Sequence, residues 1–189
     1  MRQAALVAAI LSAALVLSGC WGNSTGYGFK GDVIGKTTLD QVLQKYKRDT
    51  VDRYGAKRTI PVVEMVGDMK ACAIVGEFER PESRTLTAAG LPIEQMAYGF
   101  SDDILVRIYG TVRGPGAESL IKRAFTEKYG PPTKTDEARR MLTWENGVSQ
   151  LEVYGVDSWA TFALSHKKLY LERNTVTKTA EVKKLADDL

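Results

Sequence analysis

Apolar and polar residues recur along this chain at two spacings, one typical of helices and one typical of strands. The apolar residues within 39–46 fall at intervals of three and four, which places them on one face of a helix. Thr37 or Thr38 begins this helix, because Asp40 or Gln41 follows three residues later and completes a capping box. A second helix is predicted over Ala117–Tyr129, where glycine and proline flank an apolar stripe.

Runs rich in β-branched and aromatic residues predict strands between and after these helices. A type I′ hairpin turn is predicted at Asn146-Gly147, with Leu142, Trp144, Leu151 and Val153 on one face. Ser101-Asp102-Asp103 has the composition of a turn between two strands. The other predicted strands are Pro61–Val66, Ala71–Phe78, Met96–Phe100, Ile104–Val112 and Trp159–Leu171.

The order of helix and then strands occurs twice, which predicts an α+β fold. We expect an antiparallel sheet with helices packed on one face, in a domain over residues 29–173. Lys45-Tyr46 and Lys128-Tyr129 end the two helices at matching places and suggest two tandem helix-plus-strands units, about 29–112 and 113–173. Apolar residues at helical spacing predict a tail helix within 174–189.

The first 20 residues have the layout of an export signal. Arg2 is followed by an apolar run from Ala4 to Leu17, which is shorter than the ~20 residues of a membrane-spanning helix. Leu17-Ser18-Gly19-Cys20 resembles the lipobox of bacterial lipoproteins. The resemblance implies that residues 1–19 are a signal peptide, and that Cys20 carries a diacylglyceryl thioether and an acylated, palmitate-bearing amino terminus. The alternative is an ordinary secretory signal in which the cysteine occurs by chance.

Residues 20–28 form a glycine- and hydroxyl-rich tether between the expected lipid and the folded part. Trp21 suits the membrane interface. The residue after Cys20 is not aspartate, and by resemblance to lipoprotein sorting in enteric bacteria this favours the outer membrane, facing the periplasm. Two or more acyl chains attach a protein stably, so lipid alone supplies the expected attachment.

The segment Gly35-Lys36-Thr37-Thr38-Leu39-Asp40-Gln41-Val42 resembles the BamE/SmpA-OmlA group of outer-membrane lipoproteins. In that group a Gly-x-Thr turn caps a helix that packs on a small antiparallel sheet. Lys128-Tyr129-Gly130-Pro131-Pro132 is similar to the group's helix-ending Gly-x-Pro. Tandem β-lactamase-inhibitor-type folds are a second resemblance at this length. The first resemblance implies an architecture, and the second suggests an inhibitor of a hydrolase.

Composition and charge narrow the function classes. Removing residues 1–19 from the 189 leaves 170, enough for one domain with a core. The net charge of +3 falls to +2 without Arg2, which is too weak and dispersed for a nucleic-acid partner. If Cys20 is lipidated, Cys72 has no intrachain partner, and its apolar surroundings predict a buried thiol. A reactive or intermolecular thiol is the alternative.

The sequence contains no complete motif for catalysis or cofactor binding. Gly35-Lys36-Thr37 lacks the glycine that a P-loop needs at position 30, so no nucleotide is expected. His166 is the single histidine, and Ser165 beside it would point to the opposite face of a strand. We therefore expect a strand-end histidine, no catalytic residue, no metal ligands and no cofactor.

A basic stretch after the first helix has two interpretations. It is a solvated loop, or it contacts anionic lipid or lipopolysaccharide phosphates, since each Lys or Arg contributes ~1 kcal/mol near such a surface. The candidate contact residues are Lys45, Lys47, Arg48, Arg53, Lys57 and Arg58.

These observations lead to one functional hypothesis and two alternatives. The hypothesis is a membrane-anchored, non-enzymatic envelope lipoprotein that acts as a structural or protein-interaction module, with the bilayer and an envelope protein as partners. The alternatives are a periplasmic inhibitor of a hydrolase, with Tyr98, Tyr109 or Tyr154 as exposed anchors, and a small-ligand or lipid-binding lipoprotein.

Overall fold

The computed structural model describes residues 26–52, 54–76, 79 and 86–172, and this part of the chain is mainly extended. The helices are α1 (Leu39–Tyr46) and α2 (Ala117–Tyr129), and a π-helical turn covers Lys167–Glu172. The strands are β1 (Gly28–Phe29), β2 (Asp32–Val33), β3 (Arg48–Val51), β4 (Lys57–Ile60), β5 (Val62–Val66), β6 (Met69–Val75), β7 (Thr87–Ala88), β8 (Leu91–Ser101), β9 (Ile104–Arg113), β10 (Lys134–Asp136), β11 (Met141–Glu145), β12 (Ser149–Val156) and β13 (Trp159–His166).

One antiparallel sheet of nine strands dominates the described structure. Its strand order is β10-β11-β12-β13-β9-β8-β6-β5, and β7 pairs with β8 beside this path. Two separate hairpins, β1–β2 and β3–β4, accompany the sheet. Every strand pair is antiparallel, as expected for short connections.

The predicted α+β class is wrong, because the described residues are mostly β, with 54% in strands and 19% helical. The stretch after α1, predicted to be irregular, forms the hairpin β3–β4, in which Arg48 pairs with Ile60. The later strands also join the earlier ones, since β13 lies against β9 from Trp159↔Arg113 to Ser165↔Arg107. Strands from both halves therefore satisfy one another's backbone hydrogen bonds in a single large sheet.

The predicted first helix is confirmed, and Thr38 is its N-cap. Gln41 N–H donates to Thr38 Oγ1 at 3.4 Å, and Thr38 N–H donates to Gln41 Oε1 at 2.9 Å. This reciprocal pair is the capping box. Leu39, Val42 and Tyr46 are buried on the apolar face. Local sequence therefore determines where α1 begins and which face turns inward.

The second helix has the predicted bounds and joins the sheet through aromatic contacts. The Phe125 ring lies 5.5 Å from the Phe162 ring of β13 and 6.3 Å from the Trp144 ring of β11, measured between centroids. Gly110 of β9 makes room for Phe162, because a Cβ there would lie 2.7 Å from Phe162 Cε1. A glycine at this position is thus required by the close approach of the ring.

The connection between β11 and β12 differs from the predicted type I′ turn at Asn146-Gly147. β11 ends at Glu145, which pairs with Gln150, and β12 begins at Ser149, so residues 146–148 form the connection. Asn146 Oδ1 accepts hydrogen bonds from the backbone N–H groups of Val148 and Ser149, at 2.9 and 2.8 Å. The predicted facial pattern is confirmed, because a register change of two residues leaves every side chain on its own face.

The end of β13 also differs from its prediction, since the strand stops at His166 and the chain enters the π-helical turn. Ile104, by contrast, begins β9 after a turn at Asp102-Asp103, as predicted.

The two faces of the large sheet carry different side chains. The core face bears fully buried residues such as Phe100, Ile108 and Phe162. The opposite face, called the outer face, bears smaller or polar residues. Its middle row contains Ala73, Ala97, Tyr109, Ala163 and Glu152 in register across β6, β8, β9, β13 and β12.

Candidate functional site

The strand β5 forms one edge of the large sheet and exposes apolar side chains. Within the described residues it pairs with β6 alone, so the backbone groups along its other side have no strand partner. Val63 is 39% exposed, Met65 64% and Val66 56%. Such an edge offers another strand both backbone hydrogen bonds and apolar contact area.

The local sequence explains where this edge strand begins and ends. Pro61 precedes it and has no backbone N–H to contribute to a ladder. Val62, Val63 and Val66 are β-branched and favour extended backbone. Gly67 then adopts a φ of 63°, a left-handed conformation that starts the turn into β6.

The opposite edge, β10, is built differently. It consists of Lys134-Thr135-Asp136, and two of its three residues are charged. Short, charged edges are a common way for soluble proteins to prevent unwanted strand pairing. In the described part of the sheet, β5 is therefore the edge whose composition favours pairing.

A cleft of about 460 Å³ opens on the outer face next to β5. Its small residues are Ala71, Ala73 and Ala97, and Val62 and Glu64 of β5 also line it. Because alanine side chains are short, they leave space beside the edge for a side chain of an added strand.

The remaining wall of this cleft comes from the loop of the β3–β4 hairpin. Asp52 accepts hydrogen bonds from Arg58 Nε and from the backbone N–H groups of Tyr54 and Ala56, each at 2.9 Å. The hydrogen bond from Arg58 is the main cause that lowers the pKa of Asp52. The described residues of this wall are therefore held together by hydrogen bonds to one ionised carboxylate.

The six basic residues predicted to contact an anionic surface have different environments. Three form ion pairs with buried carboxylates: Lys45 with Asp32 at 2.8 Å, Arg48 with Glu79 at 2.9 Å, and Arg58 with Asp52 at 2.9 Å. Lys47 and Lys57 are exposed, and Arg53 lies outside the described residues. The anionic-surface contact stays a prediction, and Lys47 and Lys57 are its best-placed residues.

Asp32 connects the N-terminal hairpin to α1 and to the sheet. Its carboxylate accepts hydrogen bonds from Tyr46 Oη at 2.6 Å, Tyr98 Oη at 2.7 Å and Lys45 Nζ at 2.8 Å. The two tyrosine oxygens are 3.1 Å apart. Burial is the main cause that raises the pKa of both tyrosines, so both hydroxyls remain protonated donors. We call these four residues the Asp32 cluster.

Two of the three tyrosines predicted as exposed anchors lie on the outer face. Tyr109 and Tyr154 are there, and Tyr154 is 38% exposed, with its ring 5.9 Å from that of Trp159. The prediction for Tyr98 is wrong, because it is 1% exposed on the core face. The Tyr98 hydroxyl can be buried because it donates a hydrogen bond to Asp32.

The residues tested for catalytic chemistry have structural contacts. Cys72 is fully buried, as predicted, and burial raises the pKa of its thiol to about 12. His166 ends β13, also as predicted, and its Nδ1 accepts the backbone N–H of Leu169 at 3.2 Å. Thr37 Oγ1 accepts the backbone N–H of Val33 at 2.8 Å. Among the described residues no group of three His, Cys, Asp or Glu side chains is arranged to hold a metal ion.

Several predictions concern residues outside the described part of the chain. These are the signal peptide 1–19, lipidation at Cys20, most of the tether 20–28 and the tail helix within 174–189. No helix in the described ranges has both the length and the hydropathy that crossing a bilayer requires.

The apolar run Pro61–Val66 predicts β5 as a strand, but it does not identify the exposed residues of that strand as a binding surface. Exposure of Val63, Met65 and Val66 depends on β5 being last in the strand order, which the apolar run itself does not encode. No protein-family model, no curated protein and no solved structure matches this chain.

Proposed function

We propose that this chain is a membrane-anchored, non-enzymatic envelope lipoprotein whose folded part binds a protein partner by strand addition at β5. The observation that carries the proposal is the exposed apolar edge formed by Val63, Met65 and Val66. Exposed apolar surface of this kind marks interaction sites on soluble folds, because water contact with it is unfavourable.

The chemistry of β5 suits an extended polypeptide segment. Backbone N–H and C=O groups along a free edge are satisfied in sequence only by another strand. On one face, Val63 and Met65 would contact apolar side chains of that strand. On the other face, the partner's side chains would lie beside Val62 and Glu64, next to the alanine-lined cleft.

The anchor part of the proposal rests on the sequence. Leu17-Ser18-Gly19-Cys20 has the lipobox pattern, and the described structure begins at residue 26. The six intervening peptide units span at most about 20 Å. A lipid on Cys20 would therefore hold the folded part, and β5 with it, close to the membrane. Mass spectrometry of the protein from its native cell tests this, and a free Cys20 thiol would contradict it.

A site-specific crosslinking experiment in intact cells tests the edge. A photo-crosslinking amino acid replaces Met65 in one variant and Val156 in a second. Val156 is a matched control, because it is 39% exposed, like Val63, but lies on the interior strand β12. We expect a discrete crosslinked species from position 65 and none from position 156.

Charge substitutions make the same test quantitative. For this test the photo-crosslinking amino acid replaces Val63, on the same edge. Met65→Lys places a charge on the edge and should abolish the crosslinked species formed from position 63, whereas Val156→Lys should leave it unchanged. Equal crosslinking from positions 65 and 156, or retention of the species in Met65→Lys, would contradict strand addition.

Inhibition of a hydrolase is the second candidate, and the outer-face pair Tyr154–Trp159 favours it. Exposed aromatic residues are frequent anchors in inhibitor interfaces. Titrating the purified protein into assays of lysozyme and β-lactamase tests this alternative, and full activity of both enzymes at a protein excess would remove it.

A further inference from the structure

Arg107 stands on the outer face between two small residues. The register places it opposite Gly99 of β8 on one side and Ser165 of β13 on the other. A Cβ at Gly99 would lie 3.4 Å from Cβ of Arg107, which is a tight contact. The long arginine side chain therefore has space because its neighbours on both sides are small.

The guanidinium of Arg107 has donors without acceptors. Guanidinium groups carry five N–H donors, and within the described residues none of those of Arg107 is hydrogen-bonded. Its Nε is buried. Burial is also the main cause that lowers the pKa of this side chain. By contrast Arg113, on the same strand, donates through Nε to Glu94 at 3.0 Å. Buried donors normally have acceptors, so Arg107 has capacity for one.

One aromatic ring lies against this guanidinium. Cζ of Arg107 lies 4.6 Å from the centroid of the Tyr170 ring, in the π-helical turn that follows β13. An arginine beside an aromatic ring keeps its N–H groups for hydrogen bonding. Tyr109 is the next outer-face residue along β9, and Tyr154 lies one row further along the same face, opposite Thr161 of β13.

We propose that the outer face carries a binding site for a carboxylate, centred on Arg107. The planar fork of an arginine matches a carboxylate in a bidentate arrangement. Among the described residues no carboxylate is bonded to Arg107, and the negative charge of Glu152 favours a monoanion over a dianionic phosphate. Tyr170 against the guanidinium and Tyr109 beside it on β9 suit an apolar or aromatic body on the ligand. The ligand class is therefore a monocarboxylic acid with such a body, either a free aromatic acid or the C-terminal carboxylate of a polypeptide.

This inference is independent of strand addition at β5. Arg107 lies on the interior strand β9, and β8 and β6 separate that strand from β5. Variants of one site can therefore fail without affecting the other.

Nuclear magnetic resonance titration of the purified full-length protein tests the site. The probes are benzoate, N-acetylphenylalanine, its uncharged carboxamide and inorganic phosphate, each at constant ionic strength. The Nε–Hε resonance of Arg107, assigned by its loss in Arg107→Gln, reports changes in the environment of the guanidinium. Backbone amide signals of Gly99 and Ser165 report binding in all variants.

We expect saturable shifts with benzoate and N-acetylphenylalanine, and none with the carboxamide. Arg107→Gln and Arg107→Lys should weaken binding by about tenfold or more, since lysine keeps the charge but lacks the fork. Arg113→Gln, the matched control, should bind as the unmodified protein does, because its guanidinium already has a carboxylate partner.

The relative affinities distinguish the two sources of carboxylate. Tighter binding of benzoate indicates a free aromatic acid, and tighter binding of N-acetylphenylalanine indicates a polypeptide C-terminus. Three results would overturn the proposal: no saturable shift with either acid, equal binding of the carboxamide, or unchanged affinity in folded Arg107→Lys. Tighter binding of phosphate than of both acids would also overturn it.

Discussion

Replacing Tyr98 with phenylalanine removes one hydroxyl from the Asp32 cluster and leaves the aromatic ring in place. Tyr98 is 1% exposed, and its hydroxyl donates to Asp32 Oδ2 at 2.7 Å. Its ring contacts with Tyr46 and Phe100, at centroid distances of 5.9 and 6.5 Å, do not involve that hydroxyl. The substitution therefore isolates one buried hydrogen bond to a carboxylate.

The expected cost follows from the partners that Asp32 keeps. A hydrogen bond to a charged group contributes about 1.5–3 kcal/mol to stability. Tyr46 and Lys45 continue to bind the carboxylate, so it does not become an unpaired buried charge. We expect the free energy of unfolding to fall by about 2 kcal/mol, or Tm to fall by roughly 4–8 °C for a protein of this length.

Urea unfolding followed by tryptophan fluorescence measures this change. Tyr154→Phe is the matched control, because it removes a hydroxyl from a residue that is 38% exposed, and should change stability by less than about 0.5 kcal/mol. Hydrogen exchange should also accelerate at residues 28–33, since Asp32 holds that hairpin. If the free energy of unfolding of Tyr98→Phe were within about 0.5 kcal/mol of that of the unmodified protein, the Asp32 cluster would not stabilise the fold as we expect.

Three further predictions concern the core, the pH dependence and the basic residues. Gly110→Ala should lower stability by about 1–3 kcal/mol in urea unfolding, because the new Cβ would lie 2.7 Å from Phe162 Cε1; an unchanged midpoint would contradict this. Burial raises the pKa of Tyr129 to about 12, so its protonated form stabilises the fold below pH 10, and this contribution of about 2–3 kcal/mol is lost between pH 10 and 12. The stability difference between the unmodified protein and Tyr129→Phe should therefore shrink between pH 10 and 12, and a constant difference would contradict the raised pKa of Tyr129. Lys47→Gln with Lys57→Gln should weaken binding to anionic vesicles by about 1 kcal/mol per residue at low salt, and equal cosedimentation would reject the surface contact.

Features encoded within a few residues could be predicted from the sequence. The capping box of α1 requires only Thr38 and Gln41, which are three residues apart. The bounds of α2 follow from glycines on both sides of one apolar stripe. Such signals depend on local backbone geometry, so the rest of the fold does not alter them.

Features that depend on distant partners could not be predicted. The run Pro61–Val66 predicts a strand, but its apolar pattern does not indicate whether that strand lies at the edge or in the interior of a sheet. Tyr98 alternates with small residues, and its burial depends on Asp32, which lies 66 residues away in sequence. The connection at Asn146 also differs from its prediction. The dipeptide Asn146-Gly147 favours a type I′ turn, but the asparagine side chain accepts two backbone hydrogen bonds and stabilises a different connection.

The pairing of β13 with β9 has a consequence for biogenesis. A polypeptide that emerges from the ribosome or a translocon amino end first exposes β9 while the residues up to 158 are still arriving. During that interval β9, which is an interior strand of the complete sheet, has unpaired backbone groups along one side. These groups can pair with strands of neighbouring molecules. Synthesis that stops before residue 159 would leave β9 unpaired along that side, so the large sheet requires β13, the last strand in the described part of the chain.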